Sequence, residues 1–72
     1  MNKEDLETLL GLTVELEKTA IALAESAQRF EEHGLPARGA ALRLERDLCL
    51  RRATMLHRAF DLCSTFRPPR GA

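Results

Sequence analysis

The sequence predicts an all-α fold, an antiparallel two-helix hairpin that dimerises into a four-helix bundle. Three observations carry this expectation. The stretch His33-Gly34-Leu35-Pro36 separates two long amphipathic segments. Glycine can take the left-handed conformation that closes a helix, and proline is pre-shaped for a first helical turn but cannot continue the helix before it. The segment before the break repeats apolar residues at alternating spacings of three and four. Finally, the composition is Leu- and Ala-rich, with aromatics at 4% and no Trp or Tyr, which favours helices over strands.

The first helix is expected over about residues 3–33. Asn2, followed three residues later by Asp5, has the pattern of an N-cap, and Glu4, Asp5 and Glu7 suit the positive end of a helix. Leu6, Leu9, Thr13, Leu16, Ala20, Leu23, Ala27 and Phe30 form an uninterrupted a/d heptad register. Leu10, Val14, Ile21 and Ala24 widen this stripe on one side, and Gly11 projects towards solvent.

After a turn at 34–35, the second helix is expected over about residues 36–66, stopped by Arg67-Pro68-Pro69-Arg70. Its apolar residues fall in two neighbouring rows. One holds Leu42, Cys49, Ala53, Leu56, Phe60 and Cys63; the other holds Ala41, Leu44, Leu48, Met55, Ala59, Leu62 and Phe66. Together the rows cover roughly half of the helix circumference. A two-helix seam needs only a narrow stripe, so each helix has more apolar surface than its neighbour can cover.

A 72-residue chain is also short of core, and oligomerisation is a common remedy. The expected apolar interface comprises Leu6, Leu9, Leu16, Leu23, Phe30, Leu48, Cys49, Leu56, Phe60 and Cys63. The expected partner is a second copy of the chain or, alternatively, another helical protein.

Glu45 and Arg52 interrupt the apolar arc of the second helix. They are too far apart for an i,i+4 pair, which leaves two readings. Either they form a polar layer that sets partner register, each finding its counterion on another helix, or the arc is interrupted and both reach solvent at a seam. Cys49 and Cys63 lie on one row fourteen positions apart, about 21 Å along a continuous helix, which rules out an intrachain disulfide. An antiparallel contact between two second helices centred on Leu56 would bring Cys49 near Cys63 of the other copy; reduced cysteines acting as small apolar side chains are the simpler reading.

The residues carry no expected chemistry of catalysis. His33 and His57 sit in no metal-ligand spacing; His33 suits a helix C-terminus and His57 the solvent side. Ser26 and Ser64 belong to no nucleophile motif, and no glycine-rich phosphate loop is present, so neither cofactor nor enzymatic activity is expected. Arg43, Arg46, Arg51 and Arg58 are placed on an outward arc with Asp47 and Asp61. No aromatic is available there for base stacking, and a solvated, ion-paired face is favoured over a nucleic-acid surface.

Charge is divided between the halves. Residues 1–33 carry eight acids and three bases; residues 34–72 carry eight arginines and three acids. Opposite charge draws the helices together, although exposed pairs contribute only about 0.2 to 1 kcal/mol each. No apolar run is long enough to span a membrane. Two cysteines behind an N-terminus without a secretory pattern point to the reducing cytoplasm, and residues 67–72 are expected to be a flexible Pro/Arg tail.

The hairpin with its apolar heptad seam resembles the repressor of primer family, helical-hairpin dimers that bind paired RNA loops, though no matching RNA-binding residues are present. The segment Ala20 to Leu50, with small residues, Phe30, Gly34 and an Ala-rich second helix, resembles a single tetratricopeptide unit. The central Gly and Pro of a short hairpin are similar to the co-chaperones of type III secretion needle subunits. That likeness implies a chaperone-like role in a hetero-complex. The leading functional expectation is a homodimeric adaptor or regulator; nucleic-acid binding by the dimer ranks last.

Overall fold

The computed structural model describes residues 2–65, the side chains of residues 64 and 65 excepted. The chain is an all-α hairpin: α1 runs Lys3–Glu32 and α2 runs Pro36–Thr65. Phe66 and the Arg67-Pro68-Pro69-Arg70 tail lie outside the described residues.

Local chemistry sets the ends of both helices. The Asn2 side chain, on extended backbone, accepts a hydrogen bond from the Asp5 amide at 2.8 Å and so satisfies one of the free donors that open α1. At the other end Gly34 adopts φ 76°. The Leu35 amide donates to the Phe30 carbonyl at 2.8 Å and the Gly34 amide to the Glu31 carbonyl at 3.1 Å. This pair of bonds is a Schellman closure, and Leu35 and Phe30 line one groove beside it. Pro36 then opens α2, where its missing amide proton costs nothing.

The two helices meet along one seam. On α1, Leu6, Leu9, Thr13, Leu16, Ala20, Leu23, Ala27 and Phe30 are all buried or half-buried. On α2 the seam is Gly39, Leu42, Arg46, Cys49, Ala53, Leu56, Phe60 and Cys63, at the same alternating spacing. Of the two rows visible in α2, the one containing Leu42 and Cys49 faces α1; the Leu44, Leu48, Met55 and Leu62 row does not.

The two registers mirror each other about the turn. Counting outward from Gly34 and Leu35, Phe30 is level with Gly39, Ala27 with Leu42 and Leu23 with Arg46. By the same count Ala20 falls level with Cys49, Leu16 with Ala53, Thr13 with Leu56, Leu9 with Phe60 and Leu6 with Cys63. Most layers set a small side chain against a larger one. The most deeply buried of the described residues, Thr13, Ala20, Ala27 and Ala53 with Gly39, are the small members. The buried Thr13 hydroxyl donates to the Leu9 carbonyl at 2.9 Å, so it enters the seam without an unmet hydrogen bond.

Candidate interaction surface

What the seam leaves uncovered defines the candidate surface. Heptad geometry in an antiparallel pair places flanking positions of the same type on the same broad face of the hairpin. One face carries Leu10, Glu17, Ile21 and Ala24 of α1 beside Arg43, Leu50 and His57 of α2. Its lateral links are an ion pair from Arg43 to both Glu31 carboxylate oxygens, at 3.1 and 2.6 Å, and a 3.3 Å contact between His57 Nε2 and Glu17. A shallow groove lined by Glu17, Ala20, Ile21, Ala24, Arg46 and Leu50 runs along it.

The Arg43 guanidinium, by its hydrogen bonds and then its charge, holds the Glu31 carboxyl below its usual value of 4.5; Glu31 in turn raises Arg43. Arg46, expected on the outward arc, instead occupies a half-buried seam position level with Leu23, where its stem packs along apolar surface and its guanidinium reaches Asp47 at 2.9 Å. That is a correction to the sequence projection, as is the cross-helix engagement of Arg43. Phe30 and Phe60 both lie in the seam.

The opposite face carries the second row of α2. Leu44, Met55 and Leu62 are 66%, 68% and 71% exposed, with Leu48 and the small Ala41 and Ala59 in the same stripe. Glu45 and Arg52 fall within this stripe. Both are exposed, and neither has a hydrogen-bond or ion-pair partner among the described residues. At the turn end of this face a groove is lined by Ser26, Arg29, Phe30, His33 and Leu35. The polar groups there are already engaged: Ser26 Oγ accepts from Arg29 at 3.1 Å, and His33 Nδ1 lies 2.7 Å from the Arg29 carbonyl. No carboxylate lies among its lining residues to complete a nucleophile constellation.

The structure thus divides the residues expected at an apolar interface. Leu6, Leu9, Leu16, Leu23, Phe30, Cys49, Leu56, Phe60 and Cys63 lie in the intramolecular seam, and Leu48 lies on the outer stripe of α2 with Glu45 and Arg52. Cys49 and Cys63 are free thiols facing α1, so the row that would join them to another copy is occupied by the chain's own first helix. Gly39 and the Glu31–Arg43 pair escaped sequence reasoning. The available signal was that Gly39 stands as far from the turn as Phe30 does.

Among the described residues no cluster of three His, Cys, Asp or Glu is placed to hold a metal ion, and no helix is long and apolar enough to cross a membrane. Comparison with family models, with curated proteins and with solved structures finds no match.

Proposed function

We propose that this chain is a non-catalytic helical interaction module that self-associates through the outer stripe of α2, bringing four helices together as an adaptor or regulator. The observation that carries this reading is the row Leu44, Leu48, Met55 and Leu62, punctuated by Glu45 and Arg52 and left open after the seam is complete. Large apolar side chains aligned and exposed along one face of a helix mark an interaction surface. A reducing compartment suits the reading, since Cys49 and Cys63 then remain packing side chains.

Sedimentation equilibrium on the purified chain tests it. The expected result is a dimer that becomes a single-copy species in the Leu48→Glu, Met55→Glu double variant, with helicity retained. A cooperatively melting single-copy species of the unaltered chain at high concentration would overturn the proposal.

A second reading, a hetero-complex with another helical protein, is favoured by one feature. The spare row of α1, Leu10, Val14 and Ile21, lies on the opposite broad face, so pairing through α2 leaves it open. Insolubility of the chain alone, relieved only by co-expression with a helical partner, is the outcome that reading expects.

A further inference from the structure

We propose that the second copy docks antiparallel, α2 against α2, with Glu45 of each copy paired to Arg52 of the other. This inference rests on the self-association proposed above and specifies its orientation.

Glu45 and Arg52 are seven residues apart in one stripe, about 10.5 Å along the helix, too far to satisfy each other within the chain. A parallel contact along the stripe would set Glu45 against Glu45 and Arg52 against Arg52, two like-charge encounters on a surface losing its water. An antiparallel contact whose two-fold axis passes beside Leu48 and Cys49 reverses this. Each Glu45 is then level with an Arg52 of the other copy, so both charges are matched twice while Leu48 meets Leu48.

The same axis makes two further placements. It lies close to the middle of α2, so nearly the whole helix overlaps its counterpart, as an extensive contact requires. It also sets Leu62, the most exposed large apolar side chain among the described residues, level with Leu35 of the other copy. Leu35 lines the groove at the turn, together with Phe30, on this same broad face. The groove at the turn end of that face thus receives the apolar end of the opposing stripe, and the turns lie at opposite ends of the assembly.

Charge reversal tests the orientation. The Glu45→Arg chain and the Arg52→Glu chain each present one sign of charge at both positions, and each alone should dimerise roughly a hundredfold more weakly than the unaltered chain or worse. Mixed in equal amounts they should recover a heterodimer of near-original affinity, and the double reversal in one chain should recover the homodimer. Both positions are exposed, and far-ultraviolet circular dichroism checks that each variant stays helical. Single reversals that dimerise like the unaltered chain, or a mixture that stays dissociated, would overturn the antiparallel pairing while leaving self-association intact. A single-copy mass for the unaltered chain would instead remove the reading beneath it.

Discussion

Gly39 of α2 lies flat against the backbone of α1 at Ala27: a Cβ at position 39 would stand 3.0 Å from the Ala27 carbonyl oxygen and 2.6 Å from Glu31 Cγ. This is the closest point of the hairpin to its turn and sets how tightly the two helices start together. Arg43, one turn further on, then clamps the same Glu31 from above.

Gly39→Ala is therefore expected to destabilise the hairpin by about 1 to 3 kcal/mol, even though alanine is the better helix former. A carbonyl of a packed helix cannot step aside as a free side chain can. Gly11 is the internal control. Nothing lies within 4 Å of a Cβ placed there, so Gly11→Ala should stabilise by about 0.5 to 1 kcal/mol. Chemical denaturation of the two variants checks the pair, and the claim of close approach fails if both substitutions stabilise alike.

The Glu31–Arg43 pair implies a pH dependence of definite sign. Folding lowers the Glu31 pKa below 4.5, so the unfolded chain binds its proton first as pH falls. The pair's contribution is present above pH 4.5 and is lost as pH descends through the lower folded value. Glu31→Gln should lower the melting temperature at neutral pH and flatten the acid limb, the difference from the unaltered chain narrowing below pH 4. Melting curves from pH 6 to 3 measure this; a difference that stays constant across the range would show that Arg43 does not hold the carboxylate.

How far the sequence led is clearest from the two seams. In α1 every a and d position is apolar or small, so one row stood out. In α2 the true seam passes through Gly39 and Arg46, neither of which looks like core, while a more apolar row ran beside it; composition alone could not choose between them. The turn makes the choice, because a tight closure at Gly34 fixes which α2 residues stand level with Phe30, Ala27 and Leu23. Helix ends were legible because Asn2, Gly34 and Pro36 act locally. That the spare rows of α1 and α2 lie on opposite faces was not, since it depends on how an antiparallel partner presents its flanks. The Arg43–Glu31 ion pair joins residues twelve positions apart on different helices, beyond the reach of any single-helix pattern.

Placement of both thiols in the seam predicts their chemistry. Cys49 and Cys63 stand about 21 Å apart on one continuous helix, each half-buried against α1. Mild oxidation should yield no intrachain disulfide, and alkylation of native protein should be slower than alkylation in denaturant. Mass spectrometry after timed iodoacetamide treatment reads both. A crosslinked single chain would mean that α2 breaks between the two positions.

The sharpest test of the mirrored register is to exchange the members of one layer. Ala27 is fully buried and is level with Leu42, so Ala27→Leu should overfill the layer and cost about 1 to 3 kcal/mol. Leu42→Ala should empty it at a cost of about 2 kcal/mol, towards the low end for a leucine because Leu42 is half-buried. Made together, the substitutions restore one large and one small side chain to the layer. The double variant should then be more stable than the sum of the single losses by about 1 kcal/mol or more. Residues in different layers share no such volume, and Ala27→Leu combined with Leu56→Ala should show no recovery. Equal additivity in both pairs, measured by denaturant unfolding, would place Ala27 and Leu42 in separate layers and shift the register by at least one turn.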